Sequence, residues 1–291
     1  MVPLELAKLR ALMERTSGSL EMKIGLIDGP VVTQHPDLVG EHIREIPGNN
    51  GATCAQANSA ACLHGTFVAG ILIAKRNSSA PAICPNCTLL IRPIFAEKTT
   101  GSEQMPSATP QELAAAIIEC IDAGARVINL SLALAQPSAK GEQVLEQALN
   151  QAVRRGVIVV AAAGNQGTLG SSAITRHPWV IPVVACNLQG RPMNESNLGS
   201  SIGRRGLSAP GDGVTSLSAQ GQPRTLGGTS VAVPFVTGAI ALLWSEFPTA
   251  SAAQIKLAVT QAYKPRRAAV VPPLLDAWAA YQILLTANPR R

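Results

Sequence analysis

The sequence predicts an α/β fold, a doubly wound and mostly parallel sheet with helices on both faces. The first observation behind this is a set of apolar runs of strand length that do not alternate with polar residues: MKIGLID (22–28), TLLIRPIF (88–95), ARVINLSL (125–132), VIVVAAAG (157–164) and WVIPVVAC (179–186). Such runs belong to strands buried on both faces. The second is that helical patterns separate most of them, so that right-handed crossovers would return each strand parallel to the others. The third is compositional: of 291 residues 46% are hydrophobic, yet only 3% are aromatic and 14% charged, with 25 glycines. A core of small, closely packed side chains suits tight helix-on-sheet layers. The length supports one large core, and neither an internal repeat nor a low-complexity linker divides it. One domain over 1–291 is expected.

Along the chain, PLELAKLRALMERT (3–16) has helical spacing and ends near Gly18. The first strand, 22–28, ends in an acid, Asp28. A loop over 47–63 reads as a surface excursion, and HGTFVAGILIAK (64–75) as a helix opened by His64. After the 88–95 strand, PQELAAAIIECIDAG (110–124) is a helix with Thr109 as N-cap and Gly124 as its stop. The strand 125–132 leads to a helix over 141–156, and the strand 157–164 runs out into Gly164-Asn165. Beyond the 179–186 strand, GTSVAVPFVTGAIALLW (228–244) is a long helix of small residues, with Pro234 placed in its first turn, where a missing N–H costs little. Helices over 251–262 and 274–285 close the chain.

Several function classes are excluded. The net charge is +6, from 24 Lys+Arg and 18 Asp+Glu. Its Arg-Arg pairs (154–155, 204–205, 266–267, 290–291) are dispersed, and aromatics that could stack on bases are few, which argues against nucleic acid as a partner. The most apolar stretch, Val231 to Trp244, is interrupted by Pro234, Thr237 and Gly238 and is too short for a bilayer, so no membrane partner is expected. Glu5, Lys8, Arg10, Glu14 and Arg15 are incompatible with a signal peptide. Cytoplasmic location is the expectation, with a secreted mature fragment as the alternative. Cys120 and Cys186 lie in apolar runs as small hydrophobes. Cys54, Cys62, Cys84 and Cys87 are open to local disulfides or plain thiols; zinc is not favoured, since no further ligands lie near. His35, His42 and His177 read as surface or structural residues, and Trp179, Trp244 and Trp278 as packing residues.

In an open parallel sheet, ligands sit at the carboxyl ends of the strands. Three such ends carry Asp28, Ser131-Leu132-Ala133 and Gly164-Asn165, while His64 and Ser230 open two helices. Acyl transfer at neutral pH needs a hydroxyl nucleophile, an imidazole to take its proton, a carboxylate to hold the imidazole, and donors for the oxyanion. Ser230, His64, Asp28 and Asn165 supply these in turn. A serine at a helix N-terminus also gains the positive end of the dipole and a free backbone N–H. Singly, each has an ordinary role: strand-end cap, helix start, turn, or N-cap.

Six segments in order, IGLIDGPVVTQHPDL (24–38), HGTFVAG (64–70), VINLS (127–131), AAAGNQG (161–167), SAPG (208–211) and GTSVAVPFVTGAIALL (228–243), resemble the subtilisin-like serine proteases, or subtilases. That resemblance implies a subtilisin-like fold and a peptide or protein substrate bound as an extended strand. It implies Asp28, His64 and Ser230 as the catalytic triad and Asn165 as the oxyanion donor. Ser131, Leu132 and Ala133 would pair with the substrate backbone; Ala162, Ala163, Gly164 and Thr229 would complete the substrate-binding surface. Three departures stand out: Gly29-Pro30 where the family has Ser or Thr and then Gly, Ala133 in place of a rim glycine, and a 75–87 loop without the Asn-rich calcium pattern. No metal or other cofactor is expected. The segment ICPNCTLLIRPIF (83–95), with no signal or inhibitory pro-segment ahead of it, further resembles the subtilisin-like proteases of cyanobactin biosynthesis, which mature ribosomal peptides. The readings that follow are an endopeptidase acting through an acyl-enzyme on Ser230, a macrocyclising transpeptidase, or an inactive peptide-binding module.

Overall fold

The computed structural model describes residues 2–38, 42–46, 48, 54–95, 97, 108–132, 139–261 and 269–287. Its centre is a seven-stranded sheet built from β1 (Lys23–Asp28), β2 (Ile43–Glu45), β3 (Thr88–Pro93), β4 (Val127–Leu130), β5 (Ile158–Ala162), β6 (Ile181–Cys186) and β7 (Leu207–Pro210). The spatial order is β2-β3-β1-β4-β5-β6-β7, with every pairing parallel. The chain therefore starts in the middle, runs to one edge, and then returns past β1 to build the other side. The reversal lies at β1/β4, where Ile27 pairs with Leu130. Asp28 and Ser131 are the next residues along these two strands, so they flank the crevice where this topology binds ligands. A two-stranded antiparallel hairpin, β8 (Val214–Ser216) and β9 (Arg224–Leu226), stands apart from the sheet.

The helices are α1 (Val2–Leu6), α2 (Leu9–Arg15), α3 (Ala60–Ile73), α4 (Pro110–Asp122), α5 (Ala139–Arg155), α6 (Ala173–Arg176), α7 (Ser200–Arg205), α8 (Thr229–Glu246), α9 (Ala252–Gln261) and α10 (Ala277–Ala287). One apolar cluster joins α3, α8 and the N- and C-terminal helices to one face of the sheet; a second joins α4 and α5 to the other. Helices on both faces of a parallel sheet are the architecture expected. The expected helix over 3–16 is broken in two, because Lys8 takes a left-handed conformation at φ 52°. α3 begins at Ala60, capped by the Ser59 hydroxyl accepting from Cys62 N–H, so His64 stands in its second turn rather than at its opening. Pro234 is the sixth residue of α8, beyond the first turn in which its missing N–H would have been free of cost. The short elements β2, α6, α7, β7, β8 and β9 were not anticipated from the pattern.

α8 is apolar almost all round. By length and composition it is the one described helix able to cross a bilayer, yet 83% of its 18-residue window is buried within the protein. A helix apolar on every side serves here as a core strut beneath the sheet. Cys120 and Cys186 are fully buried, and burial pushes both thiols up to about 12, as inert small hydrophobes. Cys54 and Cys62 form a disulfide; Cys84 and Cys87 are buried thiols. Trp179 and Trp244 pack with their indole N–H groups donated to Val157 and Ala250 carbonyls. Trp278 stacks on Tyr281 with centroids 4.9 Å apart. The pairs Arg266-Arg267 and Arg290-Arg291 lie outside the described residues.

The turn after β1 lies hard against the start of α3. A Cβ built on Gly29 would stand 2.0 Å from the Ala61 carbonyl oxygen, and one on Gly65 would stand 2.4 Å from that of Gly29. This explains the departure at position 29: the approach leaves no room for the family's usual side chain. Gly29→Ala must push backbone against backbone. It is expected to destabilise the fold by about 1–3 kcal/mol, read as a lowered urea midpoint at unchanged m-value.

Candidate active site

Asp28 ends β1 with its side chain fully buried, and His64 projects from α3 above it. His64 Nδ1 donates to Asp28 Oδ1 at 2.7 Å, and the Gly29 N–H donates to the same oxygen at 2.6 Å. The other carboxylate oxygen, Oδ2, is buried without a hydrogen-bond partner among the described residues. Because the carboxylate accepts a hydrogen bond from Nδ1–H, the neutral imidazole carries its lone pair on Nε2. Burial works against the imidazolium and is the largest single influence on His64. The charge and hydrogen bond of Asp28 together outweigh it, so the pKa lies above the usual 6.5. His64 is thus a base strengthened by its partner.

Ser230 is the second residue of α8, after the N-cap Gly228 at φ 116°. In that position its N–H has no acceptor within the helix. Thr229 organises the neighbouring loop. Its N–H and hydroxyl both donate to Asn165 Oδ1, each at 2.9 Å, and its hydroxyl accepts from Gly164 N–H at 3.3 Å. A backbone N–H can only donate, so the amide oxygen of Asn165 is the atom tied down. The Nδ2 group remains as a donor on an exposed side chain at the mouth of the site. Asn197 braces the same turn from the far side. It receives Gln166 N–H, Thr168 N–H and the Thr168 hydroxyl on Oδ1, and donates from Nδ2 to the Ala163 carbonyl at 3.2 Å and Gln166 Oε1 at 2.7 Å.

The structure brings Asp28 to His64 and Asn165 to Thr229. It shows no hydrogen bond between the Ser230 hydroxyl and the imidazole among the described residues, a contact that tightens in such sites when substrate arrives. Ser131 and Leu132 continue β4, both buried; the Ser131 side chain turns inward to the Ser230 carbonyl at 2.8 Å. Ala162 and Ala163 are buried at the end of β5, and Gly164 follows at φ 106°. Ala133 lies outside the described residues. The pattern of the sequence did not single out Asn197, Asn129 or Thr237; Asn129 sat inside the VINLS segment but carried no chemistry of its own. His177 and His35 are buried and structural: His177 meets Asn150, and His35 Nδ1 receives Asp37 N–H.

The subtilase family profile (Peptidase S8) matches residues 20–273. The chain belongs to the subtilase family. Subtilisin DY of Bacillus licheniformis is 33% identical over 240 residues, 81% of each chain. The Thermophilic serine proteinase of Bacillus sp. (strain AK1) is 34% identical, and the match spans 79% of this chain but 54% of that one. Among solved structures, the prenylagaramide maturation protease PagA superposes with a TM-score of 0.81 at 26% identity, covering 95% of this chain and 98% of its own. The protein is a subtilase-family serine protease.

With His64 as the expected general base, its raised pKa predicts an acid limb. The base works only when neutral, so activity is expected to fall as pH drops through a midpoint above 6.5, read from kcat/KM against pH on a peptide ester. The same shift means that the pair stabilises the fold most below pH 6.5 and that this contribution is lost as pH rises through the folded pKa.

Proposed function

We propose that the chain is an endopeptidase that forms an acyl-enzyme on Ser230 and releases it to water. The Ser230 hydroxyl oxygen attacks the scissile carbonyl while His64 Nε2 takes its proton. The same proton then passes to the leaving amine, and water repeats the sequence on the ester. Asp28 holds the Nδ1–H and stabilises the imidazolium; Asn165 Nδ2 and the Ser230 N–H receive the oxyanion. The observation that carries this reading is the 2.7 Å bond from His64 Nδ1 to Asp28 Oδ1 beside the open first turn of α8.

The substrate proposed is a peptide laid as an extended strand along 131–133 and 162–164, with Ala162, Ala163 and Gly164 walling the pocket for the residue before the scissile bond. Those walls are small and uncharged, which favours an uncharged side chain there. The likeness to PagA, a maturation protease, and to the protease domain of PatA (TM-score 0.82, 28% identity, 93% of this chain and 97% of its own) supports a ribosomal precursor peptide as the natural substrate. Transfer to a substrate amine, giving a macrocycle, is the alternative outcome of the same chemistry.

A fluorophosphonate is expected to form an adduct on Ser230, with labelling abolished in Ser230→Ala. No adduct on the parent protein would sink the enzyme reading and leave a peptide-binding module. Mass analysis of a precursor peptide after incubation should show linear products, with one water gained per cleavage; a cyclic product would establish transpeptidation instead. Asn165→Ala is expected to lower kcat by roughly 10²–10³ with little change in KM, and an unchanged kcat would remove Asn165 from the oxyanion site.

A further inference from the structure

α8 carries a defect placed next to its nucleophile. Pro234 has no N–H, so the carbonyl four residues earlier loses its intrahelical donor. That carbonyl belongs to Ser230. An unmet acceptor here would sit at the most sensitive backbone position of the site, and the structure meets it from outside the helix. The Ser131 hydroxyl, at the end of β4, donates to the Ser230 carbonyl at 2.8 Å.

The donor is itself held. Asn129 Nδ2 donates to Ser131 Oγ at 2.8 Å, and Asn129 Oδ1 receives the Thr237 hydroxyl at 2.9 Å. Asn129 and Thr237 have no exposure, and Ser131 is 3% exposed. The direction of every proton follows from one end. A carbonyl can only accept, so Ser131 must donate to it and must therefore receive from Asn129. Asn129 must then offer its NH2 to Ser131 and its oxygen to Thr237, which leaves Thr237 as donor. A threonine inside a helix ordinarily returns its hydroxyl to a carbonyl one turn back. Here the hydroxyl leaves the helix and feeds a chain that comes back to the helix two turns earlier. A continuous hydrogen-bonded chain among buried side chains stiffens the geometry it joins.

We propose that Thr237, acting through Asn129 and Ser131, is a positioning residue that fixes the backbone of Ser230, and with it the nucleophile and its oxyanion N–H, against β4. The proposal rests on the reading of Ser230 as nucleophile. Three variants test it: Thr237→Val, which keeps the shape and removes the hydroxyl; Thr237→Ser, which restores it; and Ser131→Ala, alone and combined with Thr237→Val. The readouts are the rate of fluorophosphonate labelling at Ser230, kcat and KM on a peptide ester, and Tm.

Thr237→Val is expected to slow labelling and lower kcat about tenfold, the factor that loss of one neutral hydrogen bond corresponds to, with KM unchanged. Thr237→Ser should return both rates to within about twofold of the parent, and the double variant should label no more slowly than Ser131→Ala, as members of one chain fail to add. The relay is overturned if Thr237→Val labels at the parent rate, if Tm falls while kcat holds, or if the double variant shows the product of the two single effects. A parent protein that takes no label removes the nucleophile reading and the relay with it; a labelled parent beside an unaffected Thr237→Val removes the relay alone. Thr237→Val leaves the strand end intact, so it decides the matter even if Ser131→Ala fails to fold.

Discussion

The close approach of two backbones, the turn after β1 and the opening of α3, sets everything downstream in this site. Glycine at 29 and at 65 lets carbonyl oxygens come where a methyl group would collide. Without that approach His64, which stands one helical turn into α3, could not lower its ring onto a carboxylate sunk at the end of a central strand. The hydrogen bond between them is therefore a consequence of sheet-to-helix packing, and its strength reflects the rigidity of both supports. Dense packing transmits small displacements instead of absorbing them.

The same crowding shapes the electrostatics. Asp28 gives one oxygen to His64 and to the Gly29 N–H, while the other is buried with no partner among the described residues. A carboxylate with few donors is poorly solvated by the protein, and here His64 is the side chain that bonds it. The charge and hydrogen bond of Asp28 raise the imidazole pKa against the opposing effect of burial. An unpaired buried acceptor costs stability. It remains at a place where the charge it sharpens is one the proposed chemistry uses, the kind of local conflict that functional sites retain.

Much of this was legible in the sequence, and what was not has physical causes. Non-alternating apolar runs gave the parallel sheet because burial on both faces leaves no polar face to write. Asp28, His64 and Ser230 stand out in ordered motifs, and the structure places them at a strand end or an early helical turn, with Asn165 in the loop after β5. The edge strand β2 and the short β7 were missed, since neither stands within a longer apolar run. The break at Lys8 was hidden by perfect helical spacing on either side of it. Gly29 looked like a defect in the motif because its reason is Ala61, 32 positions away, and no local pattern records a tertiary collision. Asn197 escaped for a related reason: as an isolated polar residue in a loop it announces only a turn, and its bonds to Gln166, Thr168 and the Ala163 carbonyl appear once the loop after β5 is folded.

Pro234 sits where its missing N–H has a structural consequence. Counted as a first-turn residue, its missing N–H costs nothing; as the sixth residue of α8, it strips the donor from the Ser230 carbonyl. The helix then has to be completed by a side chain from another element, and Ser131 sits at the strand end beside Asp28's own strand. That arrangement joins two parts of the site that the chain separates by about a hundred residues. The strand along which a peptide would lie and the helix that would attack it share a hydrogen bond through Ser131, so neither can shift without the other. An ideal helix, satisfied internally, would have been free to slide on the sheet. The imperfect one is pinned to it, and the pin falls on the backbone of the residue proposed as nucleophile.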